Sequence, residues 1–155
     1  MNFEFRILSL IMLTHVTEIR VRYADTDMMQ FVYNGKYLEY FEVGRTELLR
    51  STGVSYAEVE KNGYQLPLIE TGIKYLQSAS YDDILEIHAS VKELYSPKVH
   101  IEYVVKKKDT NEIVAEGFTT HIFIKGDTKK AVRPPKVYVD ALAPYFSKTG
   151  DSQKK

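Results

Sequence analysis

Two aspartates, Asp25 and Asp27, lie between a predicted strand and a predicted helix. The mainly apolar loop 28–33 separates them from the helix, for which Asn34 is a good N-cap residue. Backbone N–H groups at a helix N-terminus are preorganised donors that carry partial positive charge. A carboxylate held beside them could act as base or nucleophile in acyl transfer, with the donors stabilising an oxyanion. Because aspartates are also common in solvated turns, the pattern alone leaves both interpretations open.

The strand and the helix on either side of this loop are predicted from periodicity. Apolar Ile19, Val21 and Tyr23 alternate with arginines, which is typical of a half-buried strand. A helix is predicted over about 35–50, because apolar residues recur there at helical spacing. Gly44 in its middle indicates close packing against a neighbouring backbone, and Gly53 is placed to end it.

The remainder of the chain is predicted to be mainly β. Apolar residues alternate in segments 66–79, 84–94, 98–107 and 112–125, and 108–111 has the composition of a hairpin turn. A short amphipathic turn is predicted at 56–61 and a short closing helix at 139–146. The expected fold class is therefore α+β: an antiparallel sheet of about five strands with one long helix laid on it. The predicted divisions are an N-terminal extension over 1–13, a single domain over 14–146 and a polar, disordered tail over 147–155.

Composition excludes several function classes. The 155 residues include no cysteine, so a disulfide framework, a thiol nucleophile and thiolate metal sites are excluded. The 21 basic and 21 acidic residues balance, which gives no bulk attraction to nucleic acid. The apolar run 7–13 is too short to span a bilayer. His15, His100 and His121 show no metal-ligand spacing, so no metal site is predicted. The absence of cysteine fits a cytoplasmic protein, and a cytoplasmic location is expected.

A resemblance adds to these expectations. The segment Arg-Tyr-Ala-Asp-Thr-Asp (22–27) is followed by Val-Tyr at 32–33, Tyr-Phe-Glu at 40–42 and Arg45, with further matches at 66–67 and 81–83. This pattern resembles the 4-hydroxybenzoyl-CoA thioesterase family, and within it the acyl-CoA thioesterases associated with the Tol-Pal system. The resemblance covers about 16–133. It implies a hot-dog fold, hydrolysis of acyl-CoA without a further cofactor, and homodimers or homotetramers with active sites at the subunit interface.

The resemblance also implies roles for particular residues. The catalytic aspartate of the family falls on Asp27, as nucleophile or general base, and the oxyanion donor falls on the backbone N–H of Asn34 or its neighbours. Many relatives have Gly at the position of Gln30, and the Tol-Pal-associated branch often has His at that of Asn34. The remaining expected substrate contacts are acyl-pocket residues Met28, Phe31 and Tyr33, a polar contact from Gln30, and Lys98 and Arg133 for the CoA phosphates.

Two alternatives accompany this interpretation. Without the His of the Tol-Pal-associated branch, the chain could be a non-catalytic dimer that binds acyl groups or CoA in the same pocket. Glu42 could face the site as a substitute base, although its spacing from Arg45 favours an ion pair on the helix surface.

Overall fold

The computed structural model describes residues 12–147 as seven strands and three α-helices. The expected tail after Ser147 and all but the end of the expected N-terminal extension lie outside these residues; Ser147 itself ends the last helix. The strands are β1 (Leu13–Arg20), β2 (Tyr64–Gln65), β3 (Leu68–Tyr75), β4 (Ile84–Val91), β5 (Lys98–Lys107), β6 (Ile113–Lys125) and β7 (Ala131–Val132). The helices are α1 (Lys36–Ser51), α2 (Tyr56–Lys61) and α3 (Lys136–Ser147).

The five long strands form one antiparallel sheet in the order β1-β4-β5-β6-β3. The two-residue strands β2 and β7 add to the far end of β6. Within the described chain, β1 pairs only with β4 and β3 only with β6, so these two strands are the edges. Edge strands carry unpaired backbone donors and acceptors, which makes them natural sites of association.

Helix α1 packs its apolar face against β1, β4 and β5. The buried residues on this face are Tyr37, Tyr40, Phe41, Gly44, Leu48 and Leu49. A Cβ atom at Gly44 would lie 2.6 Å from Cγ2 of Ile87, so glycine is what lets the helix approach β4 this closely. The Phe41 ring stacks on the Tyr103 ring of β5, with centroids 4.2 Å apart. A sheet wrapped on one long helix is thus confirmed.

The main departures from the predicted elements lie at their ends. Strand β1 begins at Leu13, which the prediction placed in the extension, and it ends at Arg20 rather than near Tyr23. Tyr23 lies in a short 3₁₀ turn and is largely exposed. The first half of β1 mixes Thr and His with apolar residues, so the alternation there was too weak to predict a strand. Gly53, with φ +93°, follows the C-terminus of α1 as predicted, and the hairpin at 108–111 is also confirmed.

No helix in residues 12–147 is long and apolar enough to cross a membrane.

Candidate active site

Asp25 anchors the segment that follows β1 to helix α1. The chain leaves β1 through the 3₁₀ turn Tyr23–Asp25, which buries the Asp25 side chain almost completely. Its carboxylate accepts hydrogen bonds from the backbone N–H and the guanidinium of Arg22, both at 3.0 Å, and from the Tyr40 hydroxyl at 2.9 Å. Burial alone would raise the pKa of Asp25, but these bonds outweigh it and hold the pKa below its usual value. Asp25 is therefore a charged structural anchor.

Asp27, two residues later, lies at the start of a tight turn and is only partly buried. Its Oδ1 accepts the N–H of Met29 at 2.9 Å and that of Phe31 at 3.4 Å. Backbone bonds from Asp27 N–H to the Phe31 carbonyl and from Gln30 N–H to the Asp27 carbonyl, both 2.9 Å, close the turn. The other carboxylate oxygen, Oδ2, has no hydrogen-bond partner among the described residues. One oxygen thus builds the turn, and the second is left available for chemistry.

The backbone conformation of Gln30 shows why glycine would suit this position of the turn. Its φ of +67° lies in the left-handed region, which glycine enters without steric cost and other residues enter at about 1–2 kcal/mol. The turn therefore keeps a conformation suited to glycine although the residue is glutamine. Glutamine at this position therefore strains the backbone.

Helix α1 starts with backbone donors that have no acceptor. Tyr33 N–H donates to the Asp25 carbonyl, and the Tyr33 carbonyl accepts the N–H of Lys36 at 2.9 Å. Because C=O and N–H of a trans peptide point in opposite directions, the N–H of Asn34 points away from the helix body. That N–H has no acceptor among the described residues. The predicted N-cap is wrong by one residue, since Gly35 occupies the cap and no side chain caps the helix.

A cavity of about 430 Å³ brings these groups together. Asp27, Phe31, Tyr33 and Asn34 line one side of it. The other residues of its wall are Met29, Val32 and Tyr37, together with Tyr75, Leu76, Gln77 and Ser78 at and beyond the end of β3. The carboxylate, the start of the helix and a mainly aromatic and apolar wall therefore share one open space. This arrangement suits a thioester whose acyl group is largely apolar.

Some expected substrate contacts lie elsewhere in this single chain. Met28 is fully exposed, and neither Met28 nor Gln30 lines the cavity. Met29, which is 68% exposed, lines the cavity in the place expected for Met28. The sequence pattern did not single out residues 75–78, since nothing in one strand's alternation shows which strand end faces the start of the helix.

The two expected phosphate-binding residues are also remote from this cavity in the single chain. Lys98 is exposed at the start of β5 and lines a separate cavity of about 340 Å³ with Lys92, Ser96 and His100. Arg133 is exposed directly after β7 and lines neither cavity.

The helix carboxylate considered as a substitute base does not reach the site. Glu42 and Arg45 do not form the expected ion pair, and both line a third cavity beside Tyr56. Arg45 instead interacts with the hydroxyls of Tyr56 and Tyr103, where it opposes the rise in their pKa that burial causes. The predicted ion pair is therefore wrong, and the charge of Arg45 acts on the two phenols instead.

His121 is the one histidine that is fully buried in the described chain. Its Nδ1 lies 3.3 Å from the Leu66 carbonyl, and its Nε2 has no partner. Burial first, and the charge of Arg45 second, lower its pKa to about 4, so the ring is neutral at physiological pH. Across residues 12–147, no three His, Asp or Glu side chains are grouped so that they could hold a metal ion.

Comparison with known proteins gives this site its context. Residues 21–142 match the family model of the thioesterase-like superfamily. The chain is 30% identical to "Putative acyl-CoA thioesterase YneP" of Bacillus subtilis over 79% of its own length and 88% of that protein. It is 26% identical to the long-chain acyl-CoA thioesterase FadM of Escherichia coli, over 75% of its own length and 87% of FadM.

A solved structure agrees with these sequence matches. The DHNA-CoA thioesterase of Staphylococcus aureus superposes with a TM-score of 0.77 at 32% identity, over 88% of this chain and 90% of that one. The hot-dog fold expected from the resemblance is thereby confirmed, and so is the expected enzyme class. The chain belongs to the thioesterase-like superfamily and is a thioester hydrolase of the hot-dog fold.

Proposed function

We propose that this protein hydrolyses acyl-CoA thioesters to a carboxylate and free CoA, with Asp27 as the catalytic carboxylate. One observation carries the proposal. Among residues 12–147, Asp27 Oδ2 and the backbone N–H of Asn34 have no hydrogen-bond partner, and both residues line the same cavity. A thioester carbonyl placed between them would meet a base or nucleophile on one side and an oxyanion donor on the other.

Two routes fit this geometry. As general base, Asp27 would take a proton from a water whose oxygen adds to the thioester carbon. The C–S bond then breaks, and the CoA thiolate leaves and is protonated. As nucleophile, Asp27 would add directly, expel the thiolate and form an acyl anhydride that water hydrolyses. In both routes negative charge develops on the carbonyl oxygen, where an N–H donor is worth about 3–4 kcal/mol of barrier.

The Asn34 side chain matters less to either route than its backbone. A histidine at this position could supply a second acid or base, whereas asparagine cannot exchange a proton near neutral pH. The proposed machinery of this chain is accordingly one carboxylate, backbone donors and water. Assignment to the Tol-Pal-associated branch stays a prediction.

Substrate contacts follow from the wall of the cavity. Phe31 and Tyr33 are proposed to contact the acyl group, together with Met29, whereas contacts from Met28 and Gln30 stay predictions. Lys98 and Arg133 are proposed for the CoA phosphates. If they bind phosphate, replacing either with Gln should raise KM, and increasing salt should then raise KM less than it does for the unaltered chain.

Assembly into homodimers or homotetramers is part of the proposal. The edge strand β3 presents Leu68, Ile69 and Tyr75, each between 45% and 51% exposed, and leads directly into the cavity wall. Pairing of this edge with a second copy would cover apolar side chains and close an open strand. Light scattering on the purified chain would measure the assembly directly.

The alternative from a different class is a dimer that binds acyl groups or CoA without turnover. It is favoured because the described residues that line the cavity include no histidine, lysine or second carboxylate beside Asp27. A thiol-release assay on a panel of acyl-CoAs separates the two functions. The names of the relatives include both aromatic and long-chain acyl groups, so the panel should contain both.

The thioesterase proposal predicts sustained release of CoA, many equivalents per chain, from at least one member of the panel. Release that stops at or below one equivalent, or binding of acyl-CoA with no release, would support the binding module instead. A cytoplasmic location stays a prediction.

A further inference from the structure

Tyr75, the last residue of β3, reaches across the cavity to the start of helix α1. Its hydroxyl donates to the carbonyl of Asn34 at 3.0 Å. Its ring meets the edge of the Tyr37 ring, with centroids 5.5 Å apart, although about half of the side chain is exposed. Of the side-chain hydrogen bonds in the described residues, this one joins the 75–78 wall of the cavity to the helix start.

The helix start has little else to hold it. Gly35 occupies the cap position, and no side chain accepts from the first turn. The Asn34 carbonyl receives the N–H of Tyr37 only at 3.4 Å, so the bond from Tyr75 is the shorter of the two that it accepts. A capping side chain normally fixes the first turn at a gain of about 1 kcal/mol. Here the Tyr75 hydroxyl leaves the N–H groups uncapped and instead fixes the Asn34–Gly35 peptide through its carbonyl oxygen.

We propose that Tyr75 is a positioning residue for hydrolysis: it holds the backbone at Asn34 so that the Asn34 N–H stays aimed at the thioester oxygen. This inference rests on the proposed function. Tyr75 does not need to touch the reacting atoms, because it acts on the carbonyl of the residue that carries the donor. Hydrogen bonding to that carbonyl also polarises the following peptide, which strengthens the partial positive charge at the helix start.

The expected effect lies in the chemical step. Oxyanion donors act mainly in the transition state, so their displacement lowers kcat more than it raises KM. A misplacement of about 1 Å can cost up to about 10²-fold in rate. Loss of the Tyr75 hydroxyl should therefore lower kcat by about 10-fold to 100-fold, with KM within about twofold of its original value.

The test is Tyr75→Phe, which keeps the ring against Tyr37 and removes only the hydroxyl. The chain offers a matched control at the other end of the same helix. The Tyr145 hydroxyl donates to the Ser51 carbonyl at 3.1 Å, so Tyr145→Phe removes a bond of the same kind from the end of α1 remote from the cavity. Both variants are compared with the unaltered chain for kcat, KM and melting temperature, using the best substrate of the panel.

Support requires a kcat loss for Tyr75→Phe that Tyr145→Phe does not share, with similar small changes in melting temperature for the two. A wild-type kcat for Tyr75→Phe would overturn the inference. So would a raised KM at unchanged kcat, because Tyr75 would then be only part of the cavity wall. Failure of the proposed function would show itself differently, as absence of turnover by the unaltered chain, and would remove this inference with it.

Discussion

Asp25 and Asp27 are two residues apart and chemically identical, yet the fold gives them opposite tasks. Asp25 is buried and accepts three hydrogen bonds, from two groups of Arg22 and from Tyr40. Asp27 is partly exposed, uses one oxygen for its own turn and lines an open cavity. A satisfied carboxylate stabilises a structure, and an unsatisfied one facing a cavity is available for reaction.

The cause of the difference is local. The 3₁₀ turn Tyr23–Asp25 places the Asp25 carboxylate beside helix α1, where it accepts a hydrogen bond from the Tyr40 hydroxyl. The following turn, with its left-handed Gln30, carries the second carboxylate back towards the start of the same helix. The Asp-x-Asp spacing therefore gives a structural anchor followed by the proposed catalytic carboxylate, and the predictions below test this division.

The largest expected effect on stability belongs to Asp25→Asn. It leaves the buried Tyr40 hydroxyl and the exposed Arg22 guanidinium without their charged acceptor and weakens three hydrogen bonds, so we expect a loss of about 3 kcal/mol in the free energy of unfolding. Asp27→Asn should cost less than about 1 kcal/mol, because the amide oxygen can still accept from Met29 N–H. Urea unfolding of both variants measures the contrast. Equal losses in the free energy of unfolding for the two variants would contradict the view that Asp25, and not Asp27, is the structural anchor.

Acid should weaken the fold in two steps. The pKa of His121 is about 4 in the folded chain against 6.5 for a free side chain, so the unfolded chain binds the extra proton more readily. Stability present above pH 6.5 is thus lost as pH falls towards 4, by up to about 3 kcal/mol. The lowered pKa of Asp25 adds a second loss below its ordinary value of 3.8.

Urea unfolding at a series of pH values checks both steps. His121→Asn should flatten the profile between pH 6.5 and 4, and Asp25→Asn should flatten it only below about pH 4. A His121→Asn profile that still falls between pH 6.5 and 4 would show that another group titrates there.

Removing one bond from the anchor should have a smaller effect. Tyr40→Phe keeps the buried ring and deletes the hydroxyl that donates to Asp25 at 2.9 Å. Hydrogen bonds to charged groups contribute about 1.5–3 kcal/mol, so we expect a loss of about 2 kcal/mol. Because Tyr40 does not line the cavity, kcat should stay within about twofold. A large fall in kcat without a fall in stability would mean that the anchor belongs to the reaction.

The smallest effect concerns the turn that carries Asp27. Gln30→Gly relieves a left-handed residue and should stabilise the fold by about 1 kcal/mol at most. Gln30→Ala is the matched control, since it shortens the side chain but keeps the Cβ atom that causes the strain. If the two variants have the same free energy of unfolding, the turn is not strained.

Much of the fold could be predicted from periodicity. Helix α1 and strands β4 to β6 have strong alternation or helical spacing, and Gly44 marked the close approach to Ile87 in advance. The weak points were the ends of elements. The first half of β1 and the two-residue strand β2 are held by pairing with strands far along the chain, which leaves no local pattern. Strand β7 pairs with its neighbour β6, but two residues are too few to show alternation.

The site was predictable where it lies on one continuous segment. Asp27, Phe31, Tyr33 and Asn34 follow one another, and a single turn and helix start bring them together. Tyr75 comes from a strand some forty residues later, so only the three-dimensional fold shows that its hydroxyl reaches Asn34. The preference for Met29 over Met28 depends on the path of one turn, which the types of residue do not reveal.

The most direct test of the central claim is the rate of CoA release by Asp27→Asn at saturating substrate, measured beside the unaltered chain. Asparagine preserves size and turn contacts but supplies neither a base nor a carboxylate nucleophile. The account predicts a fall in kcat of at least about 10³-fold, with the melting temperature and assembly unchanged. Release at the wild-type rate would contradict the assignment of Asp27.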